Sequence, residues 1–182
     1  MPIPPSFPPP APPEFLALLR GVSRSFYLSI RLLPAPLRRP IAVAYLLARA
    51  TDTLADTAEL QPEERQRHLQ TLARVIDGRL PPAVLPALAT DFAPLQHDAH
   101  ERALIRALPQ CLAWLEMLAP DDQHDIRTVL RHITHGQALD IERFGPAGSP
   151  RALATADALE EYTYLVAGSV GEFWTDLCLR HV

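Results

Sequence analysis

The segment from Ala44 to Thr57 reads AYLLARATDTLADT, and its polar residues have the types and spacing to hold a metal ion and an anion together. Asp52 and Asp56 are four apart, so on a helix their carboxylates stand one turn above each other on the same face. Two like charges at that spacing cost a helix about a few tenths of a kcal/mol, which calls for a compensating cation. Hard carboxylate oxygens suit Mg²⁺, which keeps several waters and takes one or two carboxylates plus substrate phosphates. With helical stepping, Tyr45, Arg49, Asp52 and Asp56 fall within a sector about 60° wide, and Val43, Leu47, Ala50 and Leu54 cluster opposite. Such a stripe is either a solvated face with an ordinary Arg–Asp pair or the lining of a polar cavity. The surrounding density of Ala and Leu argues for a buried helix.

A second polar cluster precedes it, Val22-Ser23-Arg24-Ser25-Phe26-Tyr27, followed by Arg31, Arg38 and Arg39. Hydroxyls with guanidinium groups suit phosphate oxygens, and Arg adds bidentate geometry. Taken alone, this cluster is better explained by ordinary capping and surface charge.

The elements that must position these groups are helices. Gly is sparse, β-branched residues are few, and Leu, Ala, Arg and Glu dominate. No run shows sustained alternation between turn dipeptides, so strands are not expected and the fold class is all-α. The pattern predicts helices over about 14–20, 36–57, 62–78, 98–118, 121–143 and 155–180. Gln61-Pro62-Glu63-Glu64 is a good helix opening. Residues 80–95 carry Pro81, Pro82, Pro86 and Pro94 and read as irregular or short helical pieces. Pro109 should kink or split the fourth helix. Gly145 to Pro150 reads as a loop.

Composition excludes several functions. All 17 basic residues are Arg, so Schiff-base and P-loop lysines are absent. The net charge of −4 gives no basic footprint, and no nucleic-acid partner is expected. Cys111 and Cys178 are too few and too scattered for a disulfide framework or a zinc site, which fits free thiols in a reducing cytoplasm. No apolar run is long enough to cross a bilayer. Residues 1–13, MPIPPSFPPPAPP, lack the basic start and apolar core of a signal peptide and read as a disordered Pro-rich tail before a body at 14–182. His132 and His135 lack a third metal ligand. Trp114 and Trp174 read as core or subunit-packing residues, and His97, Asp98, His100 and Glu101 as a solvated helix start.

Four ordered pieces of the chain resemble the squalene/phytoene synthase family, the head-to-head prenyl transferases of the isoprenoid synthase fold. SRSFYLSIRLLP (23–34) is similar to the family's diphosphate-contacting segment, and YLLARATDTLAD (45–56) to its first aspartate-rich motif. HGQALDIERFG (135–145) is similar to its Gly-x-x-x-Asp helix, with Gly136 and Asp140. EYTYLVAGSVGE (161–172) is similar to its Val-Ala-Gly signature, with Tyr162 as the leading tyrosine and Thr163 where many members carry Cys. The resemblance implies that Ser23, Arg24, Ser25, Tyr45 and Arg49 touch a substrate diphosphate. Asp52 and Asp56 would bind Mg²⁺, and Tyr162 would sit near the reacting carbons. The faces of Tyr162 and Phe26 would stabilise a cation, and the small-residue run from Val166 to Gly171 would leave room for a prenyl chain or for close helix packing.

The reaction so implied joins two allylic diphosphates through a cyclopropyl intermediate. The substrate would be farnesyl diphosphate, giving presqualene diphosphate or squalene, with NADPH entering in the squalene case. The alternatives are a phytoene synthase acting on geranylgeranyl diphosphate and a non-catalytic diphosphate-binding helical module. Release of a lipid product implies a cytoplasmic protein that visits the periphery of the inner membrane. The family's second aspartate-rich motif does not follow; Asp176 is a lone acid before Leu177-Cys178-Leu179-Arg180. The chain thus resembles the front portion of a synthase, a C-terminally incomplete bundle, which implies a missing C-terminal part or complementary chain and little turnover alone.

Overall fold

A computed structural model describes residues 12–144 and 152–182, and among them there are helices and turns but no strand. The helices in chain order are α1 (Pro13–Ser23), α2 (Phe26–Leu32), α3 (Ala35–Ala55), α4 (Pro62–Ile76), α5 (Leu85–Phe92), α6 (Ala99–Arg106), α7 (Leu108–Glu116), α8 (Pro120–Phe144), α9 (Ala156–Thr163) and α10 (Ser169–His181). Short 3₁₀ turns, Pro82–Val84 and Ala93–Leu95, flank α5, and a π turn, Tyr164–Gly168, joins α9 to α10.

The central element is α3. It packs on α8, α7, α4 and α6, with α1, α2 and α10 against it as well. It can do so because the side away from the polar stripe is predominantly apolar: Leu46, Leu47, Ala50 and Leu54 are each at most 1% exposed, and the buried Thr51 returns its hydroxyl to the Ala48 carbonyl. Burying each Leu side chain contributes about 1.5–3 kcal/mol. The alanines between them keep the neighbouring helices close. One continuous core results, from Phe15 of α1, set edge-on to Trp114 at 4.7 Å, through to Phe173 and Leu177 of α10.

Several expectations change in detail. Residues 26–32 form α2, a helix that the sequence pattern does not announce, because seven residues are too few to show a period. Pro13 opens α1 within its first turn and so belongs to the body rather than the tail. Residues 1–11 of that tail and the loop at 145–150 lie outside the described residues. Pro109 splits the expected fourth helix: α6 ends at Arg106, and the proline sits in the first turn of α7, where its missing N–H costs nothing. The expected last helix contains the π turn. Trp114 is core, but Trp174 is exposed on α10. Cys111 is buried, which pushes its thiol up to about 12, and both cysteines are free. Among the described residues, no helix is long and apolar enough to cross a membrane.

The helices are fastened at their ends by polar contacts. Asp98 caps α6 by accepting from the His100 and Glu101 amides at 2.6 and 3.2 Å. Gly21 lets α1 approach α6, since a Cβ there would meet His100 Nδ1 at 2.6 Å. Arg180 of α10 reaches Asp122 and Asp125 of α8 at 2.9 and 2.6 Å.

Leu115 on α7 is fully buried and remote from the polar stripe. Leu115→Ala is expected to cost about 2–5 kcal/mol in urea unfolding, by lost transfer energy and the cavity left behind. A cost below about 1 kcal/mol would contradict the packing described.

Candidate functional site

The polar stripe of α3 does not face open solvent. Tyr45, Arg49 and Asp52 are half-buried, with Asp56 exposed at the helix end, and all four border a cleft between α3 and α8. The cleft has two adjoining hollows. One, of about 360 Å³, is lined by Tyr45, Ala48, Arg49 and Asp52 of α3, Ile133, Gln137 and Asp140 of α8, and Tyr162 and Val166. The other, of about 290 Å³, shares Asp52, Gln137 and Asp140 and adds Ala55, Asp56, Arg65, Ile141 and Phe144. The first is the more apolar, and the second gathers the carboxylates.

Burial dominates the electrostatics of the cleft acids, and their mutual repulsion adds to it. Burial raises the Asp52 carboxyl above the ordinary carboxylate range, and the neighbouring Asp56 charge pushes it the same way. Burial also raises Asp56, with Asp140 across the cleft adding to the shift. Arg49 offsets part of this. Its Nη1 donates to Asp52 Oδ2 at 2.7 Å, and its Nη2 donates to Glu101 Oε1 of α6. Burial opposes the charge of Arg49, but Glu101 and Asp52 outweigh it and hold the guanidinium protonated.

The second wall is shaped by Gly136 and the π turn. A Cβ on Gly136 would come within 3.0 Å of Val166 Cγ1 and 3.2 Å of Leu165 Cβ, so the absent side chain lets the π turn press on α8. Val166 of the π turn and Tyr162 at the end of α9 line the same hollow; π turns often mark such sites. The Tyr162 hydroxyl donates to Asp140 Oδ2 at 3.1 Å, and burial followed by the Asp140 charge raises its pKa. The phenol is therefore a neutral donor.

The N-terminal segment divides. Phe26 stacks on Tyr45, ring centroids 5.7 Å apart, and Tyr45 donates to the Val22 carbonyl at 3.2 Å. Arg24 and Ser25 are exposed in the turn between α1 and α2, and neither lines the hollows. Arg24 has φ 45°, the one positive φ among described non-glycine residues, a conformation costing about 1–3 kcal/mol. Ser23 is not presented to the cleft: it is buried, and its hydroxyl donates to Leu19 O at 2.5 Å.

Two residue groups escaped the sequence reading. Glu101, expected on a solvated helix start, instead turns inward to Arg49. Gln137 completes the α8 wall. Ile133, Gln137, Asp140, Ile141 and Phe144 share one helical face, a periodicity that could have announced the wall. His132 lies 5.5 Å from the Tyr164 ring. Among the described residues, no three His, Cys, Asp or Glu are grouped to hold a metal by themselves.

A family description, squalene/phytoene synthase, matches residues 19–181. The chain belongs to the squalene/phytoene synthase family. Its helical architecture is accordingly the all-α isoprenoid synthase fold. The chain is 28% identical over 174 residues to a bifunctional lycopene cyclase/phytoene synthase of Sporisorium reilianum, covering 90% of this chain and 25% of that protein. It is 28% identical over 153 residues to a presqualene diphosphate synthase of Botryococcus braunii, covering 84% and 33%. A squalene synthase of the same alga is 27% identical over 155 residues, covering 85% and 30%. The chain thus spans a quarter to a third of the length of these relatives.

A carboxylate raised by the fold destabilises the folded state once ionised, and that cost is absent below the carboxylate range. Asp56→Asn should therefore raise metal-free stability at pH 7 by about a few tenths of a kcal/mol, discounted for exposure. The gain should vanish as pH falls and Asp56 is protonated. Thermal melts of both proteins from pH 3 to pH 8 check the sign, and a loss at pH 7 would contradict it.

Proposed function

We propose that the cleft binds an allylic prenyl diphosphate and that the chain carries the ionising portion of a head-to-head prenyl transferase. One observation carries this reading: the Arg49 guanidinium, the desolvated Asp52, Asp140 and the neutral Tyr162 phenol converge on a hollow whose apolar lining is Ala48, Ile133 and Val166, with Asp56 in the adjoining hollow. Polar groups at one end and apolar surface at the other match a diphosphate joined to a hydrocarbon.

The donor set suits Mg²⁺. Asp52 and Asp56 offer hard oxygens whose pKa values are raised by burial and by neighbouring carboxylates, and the shortage of a third protein ligand among the described residues leaves coordination positions for phosphate and water. Bound there, magnesium would neutralise charge building on the departing pyrophosphate. Two polar atoms bordering the cleft, Arg49 Nε and Gln137 Oε1, are buried without a hydrogen-bond partner among the described residues. Such atoms are ready for a ligand's own polar groups.

The chain's residues then have distinct tasks. Arg49 donates to phosphate oxygens that gain charge as the C–O bond breaks. Tyr162, anchored on Asp140, presents a ring rather than a nucleophilic oxygen to the allylic cation, and the stacked Phe26 and Tyr45 rings add electron-rich surface. Ala48, Ile133 and Val166 keep water from the hydrocarbon. Farnesyl diphosphate, condensed toward presqualene diphosphate or squalene, is the substrate of the leading reading, with NADPH required only for squalene. Geranylgeranyl diphosphate condensed to phytoene is the alternative.

Calorimetry with farnesyl diphosphate tests this. The chain should bind it with Mg²⁺ and at least about tenfold more weakly in EDTA, a difference of about 1.4 kcal/mol. Asp52→Asn should abolish that metal dependence. Equal affinity with and without Mg²⁺, or no binding at all, would overturn the assignment.

A further inference from the structure

We propose that Glu101 is the positioning residue for Arg49: it holds the guanidinium in the cleft when Asp52 turns to a cation. The inference rests on the diphosphate-binding reading above and concerns how that site is kept open.

Arg49 is shared. Its Nη1 is bonded to Asp52 at 2.7 Å, its Nη2 to Glu101, and its Nε is buried without a partner among the described residues. Asp52 and Arg49 are three apart on the same helix. Left to themselves they would close into a local pair and occupy the carboxylate that a cation needs. Glu101 comes from a different helix, α6, and from fixed backbone. Its amide is capped by Asp98, and the preceding residue, His100, sits against Gly21 of α1. A carboxylate so placed resists following Asp52. When Asp52 turns to a cation, Glu101 keeps Nη2, and Nη1 is released as a charged donor for a phosphate oxygen.

The sign of the effect separates this from a simpler account. If Glu101 were only another negative charge beside an anion site, removing it would strengthen anion binding. As an anchor, its removal weakens binding and does so only through Arg49.

The experiment is a double-mutant cycle on the 182-residue chain with Glu101→Ala, Arg49→Ala and the pair, titrating inorganic pyrophosphate at saturating Mg²⁺ by calorimetry. Glu101→Ala is expected to weaken binding about tenfold, as for loss of a charged hydrogen bond. In the Arg49→Ala background the same change should alter affinity less than about twofold. Glu101→Gln keeps an acceptor oxygen without the charge and should lose about threefold; it carries the test if the alanine variant does not fold. Unchanged or tighter binding by Glu101→Ala, or an equal loss without Arg49, overturns the proposal and leaves the diphosphate reading intact. If the unaltered chain binds neither pyrophosphate nor farnesyl diphosphate with Mg²⁺, the diphosphate reading falls and this inference with it.

Discussion

Negative charge held partly out of water, and not fully neutralised by the protein, is the constraint on which the cleft depends. Asp52 and Asp56 lie one turn apart on α3, Asp140 faces them from α8, and burial raises the pKa of both α3 carboxylates. Arg49 supplies positive charge but divides it between Asp52 and Glu101. On the proposed reading, a cation would relieve that charge. A bound cation then makes a polyanion welcome where three carboxylates alone would repel it.

Keeping ionisable groups desolvated requires a rigid frame, and α3 provides it. Its apolar side is buried among helices from both ends of the chain, so its polar side cannot rotate into solvent without exposing Leu46, Leu47 and Leu54. The facing wall depends on a missing side chain. Gly136 allows the π turn to approach α8, and Val166 of that turn lines the hollow together with Tyr162 of α9. A similar close approach at Gly21 sets α6, and with it Glu101, against the far side of Arg49.

The family assignment leaves open which prenyl chain the proposed site would take. The relatives carry names as different as lycopene cyclase/phytoene synthase and squalene synthase at nearly the same identity, so identity does not choose between a farnesyl and a geranylgeranyl chain. The hollow of about 360 Å³ beside Ala48, Ile133 and Val166 is where that choice would be made.

The sequence by itself determined the helical class, the aspartate stripe and the family motifs, because these depend on short-range periodicity: four-residue spacings on α3, a proline-led start for α4, a proline-split α6 and α7. It could not place contacts whose partners are far apart in the chain. Glu101 looked like a solvated charge because nothing near it in sequence shows that a helix 52 residues earlier presents Arg49. Ser23 looked like a phosphate ligand because its type fits, yet its own helix takes the hydroxyl. Seven residues were too short to reveal α2, and the π turn packs on α8 where Gly136 has no side chain, a contact between segments about 30 residues apart. Residue type and spacing state which groups could do chemistry; only the packing of α3 against α6 and α8 decided which of them meet, because burial and charge act through space.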